Sequence, residues 1–127
     1  MPRATLSVVL ITHNEAENLA ACLHGVTWAD EIVVLDSGSH DGTTEIARRF
    51  TDKVFVNVDW QGFGQQRQRA QEMASCDWIF FVDADERVTP ELRDEIRSVL
   101  NSDDRLKVYA IQRLSWAFVS FIRYCGF

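Results

Sequence analysis

The sequence is poor in cysteine and has no long apolar run. Cys22, Cys76 and Cys125 are odd in number, widely spaced and without a CxxC pair. Neither a disulfide framework nor a zinc site is therefore expected, and the thiols read as reduced. A membrane-spanning helix needs about 18 consecutive apolar residues, and no segment approaches that length. A GxxxxGK[ST] loop is missing, and so is a GxGxxG following a strand, which removes the phosphate-loop and dinucleotide-binding readings. Positive charge is scarce as well: 13 Lys plus Arg stand against 19 Asp plus Glu, a net charge of −6. Nucleic acid is held mainly by clustered Lys and Arg, so nucleic acid is not an expected partner. Small anionic ligands remain open where a metal or local arginines offset the field. Met1 to Thr5 lead straight into a strand-like run without the layout of a signal peptide. That sets the expectation of a cytoplasmic protein.

What is present fits one α/β domain over the 127 residues, with 46% hydrophobic and 25% charged residues. Leu6 to Ile11 is a β-branched, almost wholly apolar run, the pattern of a central parallel strand covered on both faces. Asn14 is placed to N-cap the next helix, with Glu17 closing a capping box and Gly25 at the C-cap. Leu19, Cys22, Leu23 and Val26 recur on that helix at helical spacing. Ile32 to Leu35 reads as a second strand, followed by a turn at Asp36 to Ser39 and a helix capped by Asp41. A third strand is expected over Val54 to Val58, then a glycine-flanked Trp60-Gln61-Gly62-Phe63-Gly64 and a polar helix from about 65 to 74. Trp78 to Val82 is the fourth and most apolar strand. Thr89, Pro90 and Glu91 start a helix whose stripe is Leu92, Ile96, Val99 and Leu100, and a fifth strand is expected over 108–112. The alternation implies a mostly parallel sheet flanked by helices. The aromatic ending from Trp116 to Phe127 reads as a last core strand or helix, a segment that packs on further chain, or a membrane-surface contact.

In open α/β sheets, ligands bind beyond the carboxyl ends of the strands. Polar clusters fall at three such ends: Thr12 to Glu15, Asp36 to Ser39, and Asp83 to Glu86. In Asp83-Ala84-Asp85, residues i and i+2 of an extended segment project to one side, and hard oxygen ligands suit Mg²⁺ or Mn²⁺. Two like charges about 4 Å apart cost about 4 kcal/mol at an effective dielectric of 20, so these carboxylates cannot meet a diphosphate unaided. A divalent cation turns the repulsion into a clamp. Asp36 is read either as an acceptor for a base N–H or ribose hydroxyl, or as the holder of an Asx turn. Arg67 or Arg69, after the glycine-rich turn, can reach phosphate. His13, His24 and His40 have no metal-ligand spacing and read as surface or loop residues.

Taken together, Ser7 to Glu15, Trp28 to Ser39, Trp60 to Ala70 and Asp83 to Leu92 resemble family 2 glycosyltransferases. The resemblance runs to about Gln112 and points to the branch containing bacterial lipopolysaccharide core β-1,4-glucosyltransferases. It implies a Rossmann-like GT-A fold and an inverting transfer of a sugar, glucose, from a nucleotide diphosphate to an acceptor hydroxyl, with Mg²⁺ or Mn²⁺. By matching position, Thr12 and Glu15 contact the nucleotide and Asp36 the base. Arg67 lies near the base or phosphates, Asp83 near the ribose and metal, and Asp85 holds the metal. Asn14, Ser37 and Ala84 complete the donor-binding set. UDP-glucose is the implied donor and the lipopolysaccharide core, or another glycan, the acceptor. The implied location is the inner face of the cytoplasmic membrane, with peripheral contact.

Family members are about twice as long. The resemblance therefore implies a donor-binding half, with acceptor binding largely missing after about residue 112 and the carboxylate base beyond Phe127. Two other readings stay open: a metal-dependent phosphoryl-transfer domain acting on nucleic acid, and a non-catalytic nucleotide-sugar-binding module.

Overall fold

The computed structural model describes residues 4–102 and the backbone of residues 121–123. Its elements alternate as expected: β1 Leu6–Thr12, α1 Ala16–His24, β2 Glu31–Asp36, α2 Thr43–Arg48, β3 Val54–Val56, α3 Phe63–Met73, β4 Trp78–Phe81, α4 Pro90–Ser102 and β5 Phe121–Arg123. The sheet order is β3-β2-β1-β4-β5. The first four strands run parallel, with Thr12 level with Asp36 and Asp36 level with Val56. β5 pairs antiparallel with β4. The strand expected over 108–112 lies outside the described residues, and β3 is shorter than Val54 to Val58.

β1 is buried on both faces, which explains its unbroken apolar run. Leu6, Val8 and Leu10 join Ile32, Val34, Trp78 and Phe80 in one layer, against Leu19 and Leu23 of α1, Ala47 of α2, and Leu92, Ile96 and Leu100 of α4. Val9, Val33, Leu35, Ile79 and Phe81 form the other layer, against Ala70 of α3. The predicted stripe of α4 is buried as a whole. Its start is also as predicted, because the Leu92 amide donates to Thr89 Oγ1 at 3.1 Å.

The start of α1 departs from expectation. Asn14 does not cap it, and the capping box with Glu17 does not form: Glu15 is the N-cap and no side chain of the helix caps it. Asn14 instead takes a left-handed conformation, φ 54°, which Asn tolerates better than most residues. The free amides are satisfied from the neighbouring β2–α2 segment, Glu15 N–H by Thr43 Oγ1 at 2.9 Å and Ala16 N–H by Asp41 Oδ2 at 3.1 Å. Asp41 also accepts from the Thr43 amide, so one carboxylate serves the starts of both helices.

At the amino ends of the strands, acidic residues act as clamps. Asp30 accepts from the Leu6 amide and Asp77 from the Thr5 amide. Glu31 accepts from Ser7 Oγ, from the Ser75 amide and hydroxyl, and from Lys53. Burial opposes ionisation of Glu31, but the donors from Lys53, Ser7 and Ser75 outweigh it and hold its pKa at about 2. A carboxylate depressed in the folded state stabilises it above the unfolded pKa and loses that contribution as pH falls through the folded value. Stability is therefore expected to drop between about pH 4.5 and pH 2. Glu31→Gln is expected to lower the urea midpoint at neutral pH and to flatten that acid limb, measured by urea titrations across the window.

Candidate functional site

The carboxyl ends of β1, β2 and β4 open onto a cleft of about 380 Å³ lined by Ile11, Thr12, His13, Glu15, Ser37, Trp60, Phe63, Arg67, Asp83, Ala84 and Asp85. The structure thus brings together seven of the predicted site residues: Thr12, Glu15, Ser37, Arg67, Asp83, Ala84 and Asp85. It leaves two outside the lining, Asn14 and Asp36.

Asp36 is fully buried. Oδ1 accepts from Thr12 Oγ1 at 2.8 Å and Ser39 Oγ at 2.6 Å, and Oδ2 from the amides of Gly38 at 2.9 Å and Ser39 at 2.7 Å. A carboxylate has about four acceptor directions, and all are spent on the turn. Burial pushes its pKa up, but the donors of Ser39, Thr12 and Gly38 outweigh it and keep the group below the usual range. Of the two readings open for Asp36, these bonds are those of the turn holder. Gly38 is at φ +103°, and a Cβ there would lie 3.0 Å from Val58 Cγ1, so the turn requires glycine.

Asn14 is exposed and ties the two loops together. Its amide N–H donates to Ser39 Oγ at 2.7 Å, and its Oδ1 accepts from the His40 amide at 2.9 Å. That second bond fixes the side-chain amide, so Nδ2 is the donor to His13 Nε2 at 3.3 Å. His13 then carries its proton on Nδ1 and donates to Ser37 Oγ at 3.0 Å, while Ser37 donates to the Thr12 carbonyl at 3.3 Å. His13, read from sequence as a loop residue, is a fixed part of the cleft wall.

The acidic pair follows β4 in a turn rather than an extended segment. The Glu86 amide donates to the Asp83 carbonyl at 2.9 Å and the Glu86 carboxylate accepts from the Asp83 amide at 2.8 Å. Both carboxylates line the cleft as expected, but through turn geometry rather than strand alternation. Beneath them, Cys22 Sγ of α1 lies 3.6 Å from the Asp83 carbonyl as donor, its thiol pushed by burial up to about 11. Arg87 donates to the carbonyls of Ala84 and Glu86 at 2.9 Å each and to Asn18 Oδ1 at 3.3 Å. Burial raises the Glu86 pKa; the Asp83 amide lowers it, the charges of Asp83 and Asp85 add to the rise, and Arg67 subtracts.

The described residues contain no set of three His, Cys, Asp or Glu able to hold a metal by themselves. Two carboxylates at a cleft mouth nevertheless fit Mg²⁺ or Mn²⁺, since such ions are commonly held by one or two carboxylates together with substrate phosphate and water. Arg67 lies in the same cleft, its guanidinium 5.6 Å from the Phe81 ring centroid. Arg69 does not: it bonds the Asp59 carbonyl at 2.7 Å and Gln66 Oε1 at 3.1 Å. Of the two arginines, Arg67 is the one available to an anion.

Sequence reading missed Ile11, His13, Trp60 and Phe63 as cleft residues. Trp60 and Phe63 are 46% and 72% exposed and meet edge to face, centroids 5.0 Å apart. The available signal was Phe63 set between Gly62 and Gly64, with Trp60 just before them, outside any strand or helix periodicity.

A family model, glycosyl transferase family 2, matches residues 7–117. The lipopolysaccharide core biosynthesis glycosyltransferase LpsC of Rhizobium meliloti is 33% identical over 117 residues, covering 89% of this chain and 43% of its own length. An uncharacterised glycosyltransferase of Rickettsia felis is 38% identical over 112 residues, 86% of this chain and 39% of its own. The chain thus spans about two-fifths of the length of these curated relatives. Among solved structures, the Pyrobaculum calidifontis mannosyltransferase PcManGT, crystallised with GDP-Man and Mn²⁺, superposes at TM-score 0.69 with 24% identity, over 83% of this chain and 34% of its own. Mannosyl-3-phosphoglycerate synthase of Rubrobacter xylanophilus does so at TM-score 0.66 with 26% identity, over 76% and 36%. These likenesses establish the GT-A glycosyltransferase fold.

Asp36→Ala removes the acceptor for four buried or half-buried donors. A loss of about 2–3 kcal/mol is expected from denaturant unfolding, since each stranded donor costs about 1–3 kcal/mol and some regain water.

Proposed function

Because the chain belongs to glycosyl transferase family 2, we propose that its cleft binds a nucleotide-diphosphate sugar for inverting transfer to an acceptor hydroxyl. The donor proposed is UDP-glucose and the acceptor the lipopolysaccharide core. One observation carries the reading: two carboxylates, Asp83 and Asp85, and one available arginine, Arg67, line a single cleft beyond the carboxyl ends of a parallel sheet. Their signs suit a diphosphate and a cation bound together.

Asp83 and Asp85 would hold Mg²⁺ or Mn²⁺, which when bound neutralises charge on the departing diphosphate. Arg67 pairs with phosphate from the opposite wall. Ala84 carries no bulk that would keep a ligand from the backbone. Thr12, Glu15 and Ser37 line the floor on the nucleotide side, and Asp36 with Asn14 holds the loops that present them.

An inverting transfer also needs a carboxylate base on the face of the sugar opposite the leaving group. Since the chain spans about two-fifths of the length of its curated relatives, we assign it the donor half, and the base to the part of the family it does not span. It is then expected to bind donor and transfer little sugar. The acceptor follows from the resemblance and from the 33% identical lipopolysaccharide core enzyme; the sugar follows from the resemblance alone. Such an acceptor would place the reaction at the inner face of the cytoplasmic membrane, with peripheral contact. No described helix is long and apolar enough to cross a bilayer.

Calorimetry of UDP and UDP-glucose, with and without Mn²⁺, tests the reading. Affinity is expected to require the metal and to fall at least tenfold in Asp85→Ala; affinity indifferent to both would remove it. A DNA duplex titrated in parallel, if bound in preference to UDP, would favour the phosphoryl-transfer alternative.

A further inference from the structure

We infer that the slot walled by His13, Ser37, Trp60 and Phe63 is where the base of the nucleotide is gripped, by stacking on one ring of the aromatic pair with the other at its edge, rather than by hydrogen bonds to Asp36. The inference rests on the nucleotide reading above and deepens it.

The slot has a volume of about 380 Å³, and all four of its residues also line the donor cleft, so it is an arm of that cleft. Its lining is almost wholly apolar, the opposite of the acidic mouth formed by Asp83 and Asp85. A ligand that fills both must carry a flat apolar group at one end and a polyanion at the other. A nucleoside diphosphate is such a ligand.

The backbone that carries Trp60 is held by several bonds. Trp60 and Phe63 meet at an interplanar angle of 90°. The turn that carries Trp60 is closed by its amide bonding to the Val58 carbonyl at 3.0 Å, and Arg69 holds the Asp59 carbonyl. The His13 ring on the other wall is held at both nitrogens, by Ser37 and Asn14. Walls already ordered lose little freedom on binding. Exposed aromatic faces stack any base, and the stack contributes without requiring a particular hydrogen-bond pattern.

The other candidate for base recognition is excluded by counting. Every acceptor direction of Asp36 is occupied by Thr12, Gly38 or Ser39. A base N–H could be accepted there only by breaking the turn that forms the slot. The phosphate end agrees in placement: Arg67 follows Phe63 by four residues on α3, so the two side chains share one helix face.

The test is equilibrium binding to the full 127-residue chain with Mn²⁺ present, using UDP and inorganic pyrophosphate as probes. Wild type is expected to bind UDP at least tenfold more tightly than pyrophosphate. The alanine variant that removes the ring parallel to the base, Trp60→Ala or Phe63→Ala, is expected to weaken UDP about tenfold, as loss of one base stack does, the other variant to weaken it less, and both to leave pyrophosphate unchanged. Trp60→Phe is expected to keep most of the UDP affinity. Both side chains are exposed, so the cores remain intact, and far-UV circular dichroism verifies this. Unchanged UDP affinity in both alanine variants overturns the slot, and so does an equal loss for UDP and pyrophosphate. If UDP binding depends on Mn²⁺ and Asp85 but not on Trp60 or Phe63, the slot fails while the nucleotide reading stands. If wild type binds neither probe with Mn²⁺, both fail together.

Discussion

The cleft exists because one buried carboxylate, Asp36, collects the loose ends of two loops. It accepts from Thr12, at the end of β1, and from Gly38 and Ser39 in the following turn. The Ser39 hydroxyl that donates to Asp36 also accepts the Asn14 amide, so the β1–α1 loop is drawn onto the β2–α2 loop. An ionised group at 0% exposure is costly unless fully bonded, and here it is. The geometry of Thr12 and Ser37 follows from this knot, and with it one wall of the cleft. Asn14 in its left-handed conformation and the foreign caps on α1 are further consequences. Once Asp36 has gathered the loops, Asp41 and Thr43 lie where the first amides of α1 need acceptors.

The acidic residues divide by their position along the sheet. At the amino ends Asp30, Glu31 and Asp77 are bonded to backbone amides and hydroxyls, and they fasten β1 to its neighbours. At the carboxyl ends Asp83 and Asp85 face open space in the cleft. The acidity of the chain thus has two separate physical meanings, structural at one end and available at the other. Beside Asp83 and Asp85 there is a rise in the Glu86 pKa. Burial leads it, and the two aspartates beside it add to it, as two negative charges with too little compensation would.

The parts legible in the sequence were those decided by local pattern. The apolar run of β1, the stripe of α4 and the Thr89-Pro90 start need only periodicity and capping chemistry, and each was found where expected. The Asp83-Ala84-Asp85 pair was legible as chemistry, although the extended geometry assumed for it was a turn. What failed was decided by residues distant in sequence. Asn14 looked like a cap because the local rule cannot see Asp41 or Thr43, which lie 25 and 28 residues from the amides they satisfy. Asp36 was legible as either a base acceptor or a turn holder, and only the count of its four donors decides. Trp60 and Phe63 carry no sign in sequence of whether they are buried, because exposure is a property of the packed α3 and its entry turn.

The two walls of the cleft differ in kind, and the difference bears on how it would handle a ligand. The β1–β2 wall is a closed hydrogen-bond network whose members are each fixed by several partners, so it has little freedom to adapt. The α3 wall is a single helix start, entered through Gly62 at φ +97°, presenting Phe63 and, one turn later, Arg67. Arg67 rests on the Phe81 ring, an arrangement that orients the guanidinium while leaving its donors free for an anion. Asp83 and Asp85 line the same cleft, in a turn held by Arg87 through the carbonyls of Ala84 and Glu86. Arg67 alone cannot neutralise both carboxylates, so the empty cleft retains negative charge. A diphosphate alone would meet repulsion there, which a divalent cation beside the two carboxylates would offset. The charge of the cleft thus favours an anion that arrives with a cation over one that arrives without.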